Sequence, residues 1–357
     1  MSSPPVSVVM SVFNGELFLS QAVESILLQT FRDFEFVVID DGSTDSTPEI
    51  LGEYAVRDSR VRVIRQANKG RAASLNIGIA LAKGKYIARM DADDIALPLR
   101  LEKQIGFMEL HPAIGLLGAV TEVINNVGQL LTVTRPPQED SEIKSVMLRY
   151  NPMCHPSVLM RKEVVHAAGG YRKALLDADD YDLWLRMGER TQFANLDEPL
   201  LRYRVHSNQV SIRNMRHQAL CVLAARAAAT FRRQGGPDPL TGIEEVSQQL
   251  LYSLGVTADD IRETLIGVYW YWMEILKPCA PEAALQVVEG FLEGSTSEGL
   301  EANVVADAWL TAASLHYRQG RAERALYCLG RAFLRRPIVL GRPVKRAWHY
   351  LSRERTR

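Results

Sequence analysis

Apolar and polar positions fall into blocks along the first hundred residues. Val6-Ser7-Val8-Val9-Met10-Ser11-Val12 is a short run rich in β-branched residues, the composition of a strand covered on both faces. Leu17, Val23, Ile26 and Leu27 follow at near-helical spacing, and Phe34 to Ile39 repeats the strand composition. Strand, helix, strand predicts a parallel βαβ unit. Val61 to Ile64 predicts a third strand, Arg71 to Ala82 a helix, and Tyr86 to Met90 a fourth strand.

The polar breaks between these blocks carry the information about a site. The second strand runs into Asp40-Asp41-Gly42-Ser43-Thr44-Asp45, where Gly42 permits a sharp turn and a hydroxyl or carboxylate can cap a helix starting near Thr47-Pro48. The fourth strand runs into Asp91-Ala92-Asp93-Asp94. Open α/β sheets bind ligands beyond the carboxyl ends of their strands, so Ser11 to Asn14, Asp40-Asp41 and Asp91 to Asp94 are expected in one crevice.

After Pro98 the pattern is mixed, with a helix around Leu101 to Leu110, strands near Ile114 to Thr121 and Leu130 to Thr134, and short alternating elements from Ser141 to Ile212. Gln218 to Arg233 is helical, Gly235-Gly236-Pro237-Asp238-Pro239 has linker composition, and the remainder is almost all helix. This predicts an α/β catalytic domain over 1–215 and an all-α region over 216–357. Within 303–337, Trp309, Ala313, His316, Gly320, Ala325, Leu329, Ala332 and Pro337 sit at the offsets of one tetratricopeptide repeat. A single copy fits a plain helical hairpin better, because solenoids need about three repeats for stability.

A chain of 357 residues is long enough for two domains. Its 42 basic and 42 acidic residues cancel, which removes any general attraction to nucleic acid. Cys154, Cys221, Cys279 and Cys328 show no paired spacing for zinc or a disulfide framework, consistent with a reducing cytoplasm. No secretory leader is read at the start, and the longest apolar stretch, Leu265 to Leu276, contains Glu274 and is shorter than the ~18 residues of a membrane span. The stretch 331–357 carries nine basic residues against Glu354, a solvated tail or a peripheral contact with an anionic cytoplasmic membrane face. The helical region also offers a surface for a protein partner.

Asp91-Ala92-Asp93 places carboxylates at i and i+2 of an extended strand end, hence on one side, with a small residue between them. Hard cations such as Mg²⁺ and Mn²⁺ prefer one or two carboxylates together with substrate phosphate oxygens.

The first ~210 residues resemble glycosyltransferase family 2. The matching residues are Val8 to Asn14, Gln29-Thr30-Phe31, Val38 to Asp45, Asn68-Lys69-Gly70, Asn76-Ile77-Gly78 and Asp91 to Asp94. The resemblance implies the GT-A fold, a Rossmann-like mixed sheet, and an inverting transfer of sugar from a nucleotide diphosphate, UDP in the first instance, to an acceptor hydroxyl. It implies that Phe13 borders the base, that Ser11 and Asn14 line its pocket, and that Asp41 accepts a hydrogen bond from it. Asp91 would hold the ribose or the metal's water shell, and Asp93 the metal, Mn²⁺ or Mg²⁺. Arg71 would reach the donor.

An inverting displacement needs a base opposite the leaving group. Gly169-Gly170-Tyr171 followed by Asp179-Asp180-Tyr181-Asp182-Leu183-Trp184 resembles the family's acceptor segment, which implies Asp180 as base, with Asp179 as the alternative because it stands where the family commonly has Glu. Asp177 alone reads as a helix cap. His206, in Tyr203-Arg204-Val205-His206, resembles a late segment returning to the donor, so it or Arg204 meets the diphosphate or serves structure. His155 and Trp184 read as packing residues.

A nicotinamide-binding Rossmann enzyme is excluded because Ser11 to Glu16 lacks G-x-G-x-x-G. A processive synthase would add membrane helices and Q-x-x-R-W, so one sugar per encounter is expected, onto a glycan or lipid-linked acceptor. The rival from another class is a degenerate, non-catalytic domain displaying its helices to partners.

Overall fold

The computed structural model describes residues 3–176, 178–206, 215–277, 280–292 and 302–336. These fall into two compact units, one within 1–205 and 220–256, the other within 206–219 and 257–357.

In the first unit β1 (Val6–Val12), α1 (Leu19–Leu27), β2 (Phe34–Asp40), α2 (Thr47–Arg57), β3 (Val61–Arg65), α3 (Arg71–Leu81) and β4 (Tyr86–Met90) follow in order. There follow β5 (Ile95–Ala96), α4 (Arg100–Leu110), β6 (Ile114–Ile124), β7 (Leu130–Thr134), α5 (Asp140–Val146), β8 (Leu159–Arg161), α6 (Lys162–Ala167), α7 (Asp179–Gly188) and β9 (Gln192–Arg204). The unit ends with α8 (Met215–Arg233), of which it holds the part from Leu220, and α9 (Gln248–Ser253).

One nine-stranded sheet runs β3-β2-β1-β4-β8-β6-β9-β5, with β7 beside β6. β1 to β4 are mutually parallel, whereas β8 lies antiparallel between β4 and β6, the mixed sheet expected from the resemblance. β1 and β4 are buried almost throughout, which explains their continuous apolar runs: helices cover both faces, so no alternation is needed. β3 ends the sheet and carries Arg62 and Arg65, charges that blunt an open edge.

The order of β3-β2-β1-β4 locates the site. The chain steps outward from β1 through β2 to β3, then returns to the other side of β1 as β4. Between β1 and β4 the connections therefore diverge and leave a crevice beyond the strand ends. Val12 pairs with Asp40 and Met10 with Met90, so Ser11 to Asn14, Asp41 and Asp91 emerge at one edge of the sheet.

The Gly235–Pro239 stretch, read from its composition as a linker, lies within the first unit. Asp238 pairs with Arg172 at 2.5 Å and with Arg232 at 2.9 Å, which ties the stretch to the first unit, and the chain passes to the second at Thr257. That unit contains α10 (Ala258–Leu276), α11 (Pro281–Leu292), α12 (Ala302–Arg318) and α13 (Ala322–Arg335), each packed on the next. The last two form the hairpin expected over 303–337. Ala306 and Ala332 meet at its centre, and Arg331 lies 4.8 Å from the Trp309 ring centroid. Pro337 and most of the basic stretch lie outside the described residues. Among the described residues no helix is long and apolar enough to cross a membrane.

Candidate active site

Two loops close the floor of the crevice by binding each other. The amides of Asn14 and Gly15 donate to Ser43 Oγ and Thr47 Oγ1, both at 2.9 Å, and the Thr44 amide donates to Asn14 Oδ1 at 2.8 Å. Asp45 accepts from the Glu16 and Thr47 amides, while Asp40 accepts from the Ser43 amide. Asp40 and Asp45 are thus turn and cap residues. Asn14, at φ +52°, uses its side chain in this latch, so what it offers a ligand is the wall the latch builds. Ser11 is half-buried at the crevice, and the Phe13 ring is 51 % exposed beside it.

Asp41 is almost fully buried, and its carboxylate accepts from Gln66 Nε2 (2.8 Å), the Lys69 amide (2.9 Å) and the Gly70 amide (2.8 Å). A carboxylate has about four acceptor sites, so one remains for a ligand donor. Gly42 makes this arrangement feasible. Its φ is +81°, and a Cβ there would stand 2.9 Å from the Asn68 nitrogen, so only glycine lets the 66–70 loop approach.

At the end of β4 the carboxylates of Asp91, Asp93 and Asp94 offer oxygens that all lie within 4.8 Å of one another. Asp91 is held by Arg89 at 2.5 Å; Arg89, buried in β4, also donates to the Met90 carbonyl. Asp94 Oδ1 accepts from the Arg204 amide at 2.7 Å, but Oδ2 is buried with no hydrogen-bond partner among the described residues. Burial, followed by the Asp93 and Asp91 charges, pushes the Asp94 carboxyl well above the usual range. Crowded carboxylates with an unmet buried oxygen fit a hard divalent cation.

Arg204 fixes this turn from behind, in place of the diphosphate contact weighed for it. Nε donates to the Asp93 carbonyl at 2.7 Å, one terminal nitrogen to the Asn125 and Asn126 carbonyls, the other to Gln21 at 2.8 Å, and the guanidinium lies 4.4 Å from the Phe18 ring centroid. His206 follows two residues later and groups with the second unit, while Ser207 and Asn208 lie outside the described residues.

The acidic segment arrives from the far side of the sequence. Asp179 and Asp180 begin α7, where carboxylates suit the positive end of the helix. They have different surroundings. Asp179 is fully buried and receives the Arg71 guanidinium, Nη2 to Oδ1 at 2.6 Å and Nε to Oδ2 at 3.3 Å, together with the Asp180 amide. Arg71 also donates to the Leu176 carbonyl at 2.7 Å. Its guanidinium is therefore committed to the acidic segment, where the sequence reading aimed it at the donor. Asp180 is only half-buried and accepts from Asn151 Nδ2 at 2.9 Å. Burial, then the neighbouring Asp179 charge, push its carboxyl up to about 6 against the opposing pull of Arg71.

Asp182 is fully buried and pairs with Arg186 at 2.7 Å and Arg172 at 3.5 Å, a structural role. Asp177 lies outside the described residues. His155 meets the Tyr171 hydroxyl at 2.8 Å and the edge of Trp184, and burial, then Arg89 and Arg71, hold it well below the usual histidine range. Trp184 is core.

These groups share one electrostatic neighbourhood. The Cys154 thiol is driven up by burial and then by Asp94, Asp91 and Asp180 together. Burial opposes the Arg71 charge, yet Asp179, Asp91 and Asp180 together raise its pKa. One cation thus feels the acids of β4 and of α7. Sequence reasoning missed Arg89, Asn151 and Gln66. Arg89 left a signal, because an arginine inside an otherwise apolar strand must find a carboxylate. Asn151 and Gln66 left none.

Residues 7–169 match the sequence profile of "Glycosyl transferase family 2". Over 225 residues the chain is 36 % identical to an uncharacterized glycosyltransferase of Methanocaldococcus jannaschii, covering 62 % of this chain and 77 % of that protein. It is 37 % identical over 212 residues to the putative glycosyltransferase EpsE of Bacillus subtilis, covering 58 % and 75 % of the two chains. With the O-antigen biosynthesis glycosyltransferase WbnJ of Escherichia coli it shares 32 % over 206 residues, covering 57 % and 80 %. The structure of S. aureus TarS 1–349 in complex with UDP has the same fold, with a TM-score of 0.51 at 15 % identity over 92 % of this chain and 90 % of that one. A GT-A-like mixed sheet, a cation-ready acidic turn at its switch point and these relatives agree: the chain belongs to glycosyltransferase family 2.

Proposed function

We propose that the protein is an inverting, metal-dependent transferase that moves one sugar per encounter from a nucleotide diphosphate, with uridine as the favoured base, to an acceptor hydroxyl. The observation that carries this reading is the contrast between two acids in adjacent positions. Asp179 is paired with Arg71, whereas Asp180 is partly open, and burial and then the Asp179 charge push its carboxyl up to about 6. A general base works best with a pKa near the operating pH and with an exposed oxygen. Asp180 accepts the acceptor's hydroxyl proton as the new glycosidic bond forms, and Asn151 aims its carboxylate.

On the donor side, Asp41 has one acceptor site left for the imide N–H of uracil, and Phe13 presents a ring face for stacking. TarS, which shares the fold, is known in complex with UDP and UDP-GlcNAc; uridine is our choice for this chain on the strength of Asp41. Asp91, Asp93 and Asp94 would hold Mn²⁺ or Mg²⁺, which supplies positive charge to the departing diphosphate. WbnJ is named for O-antigen biosynthesis and AmsE of Erwinia amylovora for amylovoran biosynthesis, and we assign this chain a glycan or lipid-linked acceptor. The widely spaced Cys154, Cys221, Cys279 and Cys328 suit the reducing cytoplasmic side of such a membrane. The basic stretch after Arg331 is the segment we assign to contact with that membrane.

The test is release of UDP from a panel of UDP-sugars by the full chain with Mn²⁺, followed across pH. The acid limb of kcat/KM is expected near 6, because Asp180 must lose its proton to act. Asp179→Asn is expected to lose no more turnover than loss of its Arg71 partner does, and to move that limb to lower pH, since it removes the charge that raises Asp180. A turnover loss in Asp179→Asn far beyond that in Arg71→Gln, with the acid limb unmoved, would instead make Asp179 the base. Absence of any metal-dependent UDP release across the panel, with no UDP binding, would leave the scaffold reading.

A further inference from the structure

The helix α3 stands between the two halves of the site, and both halves are fastened to it. At its amino end the Lys69 and Gly70 amides hold Asp41. The next residue, Arg71, grips Asp179 through two nitrogens and the Leu176 carbonyl through one. Five residues on, Asn76 closes a two-way clamp on Tyr171: its Nδ2 donates to the Tyr171 carbonyl at 2.8 Å, and its Oδ1 accepts the Tyr171 amide at 2.9 Å. Gly170, at φ +68°, makes room for that clamp, since a Cβ there would stand 2.6 Å from Asn76 Oδ1.

We infer that Arg71 is a positioning residue for the catalytic base, and that with Asn76 it makes α3 the ruler between the donor's base pocket and Asp180. The inference rests on Asp180 being that base. The geometry favours positioning over donor binding for Arg71 because a planar guanidinium bound along two N–H edges to a buried carboxylate is held in one orientation. The group it holds is adjacent in sequence to Asp180, and the Asp180 amide itself donates to Asp179 Oδ1 at 3.1 Å. Arg71 therefore sets where α7 begins, and the first turn of α7 carries the base. Reacting groups need placement to within a fraction of an ångström, so a loosened first turn lowers turnover without touching the donor's base pocket.

The experiment compares Arg71→Gln, Arg71→Lys, Asp179→Asn, the double variant Arg71→Gln/Asp179→Asn and Asp180→Asn in the full chain. UDP binding with Mn²⁺ is measured by calorimetry, whose stoichiometry reports the folded fraction, and UDP release from the best UDP-sugar gives kcat per folded site. Arg71→Gln is expected to lose tenfold or more in kcat with the UDP dissociation constant within about twofold of the parent. Arg71→Lys is expected to recover only part of the loss, because one ammonium cannot reproduce the fork. The double variant is expected to fall no further than the worse single one, the signature of two residues acting through one contact. A tenfold weaker UDP affinity in Arg71→Gln with kcat kept at saturating donor, or additive losses in the double variant, would overturn the positioning role. Retained turnover in Asp180→Asn would overturn the base assignment beneath it, whatever the Arg71 variants do.

Discussion

Asp180→Asn is expected to bind UDP and Mn²⁺ as the parent does while losing roughly 10²–10⁴-fold in kcat, the usual contribution of a positioned general base. The substitution preserves shape and the hydrogen bond from Asn151 becomes an amide–amide contact, so α7 keeps its place. What is lost is the oxygen lone pair that takes the hydroxyl proton. Among the described residues no neighbouring acid can replace it. Both Asp179 oxygens face Arg71, and Asp182 is buried against Arg186 and Arg172. Steady-state UDP release with parallel calorimetry separates the two effects. Equal losses in affinity and turnover would place Asp180 in donor binding instead.

Asp93→Ala is expected to abolish the Mn²⁺ dependence of UDP binding. Asp93 supplies one of three carboxylates whose oxygens lie within 4.8 Å of one another, beside Asp91 paired with Arg89 and Asp94 Oδ1 held by the Arg204 amide. Without it two partly committed carboxylates remain, too few charges to hold a hard cation against water. Titration of UDP in the presence and absence of Mn²⁺ reads this directly. A variant that still shows metal-enhanced binding would move the cation elsewhere. Asp93→Ala is also expected to keep the bond from Arg204 to the Asp93 backbone carbonyl, which the substitution does not remove.

Much of the fold was legible because local patterns and global packing agree. β1, β2 and β4 are buried on both faces, and their uninterrupted apolar composition states that plainly. The acidic turn after β4 was legible too, since charges directly after a buried strand have few places to go except a crevice. Pairing across distance was not legible. Arg71 and Asp179 are 108 positions apart, and nothing in Asn68-Lys69-Gly70-Arg71 says that its guanidinium turns toward α7. The Gly235–Pro239 stretch shows the same limit: glycine and proline mark a turn, but what fastens that turn is Asp238 finding Arg172 and Arg232. Turn chemistry is local, and ion-pair partners are set by topology.

The central claim is that acids from β4 and α7 serve a single cation-bound diphosphate. Its most direct test is the anomalous scattering of manganese in crystals of the full chain grown with UDP and Mn²⁺. One strong peak among the Asp91, Asp93 and Asp94 carboxylates, bridged to the diphosphate on the side of the crevice that Asp180 faces, is the predicted result. A diphosphate bound with no peak there, or a peak away from those three carboxylates, would contradict it.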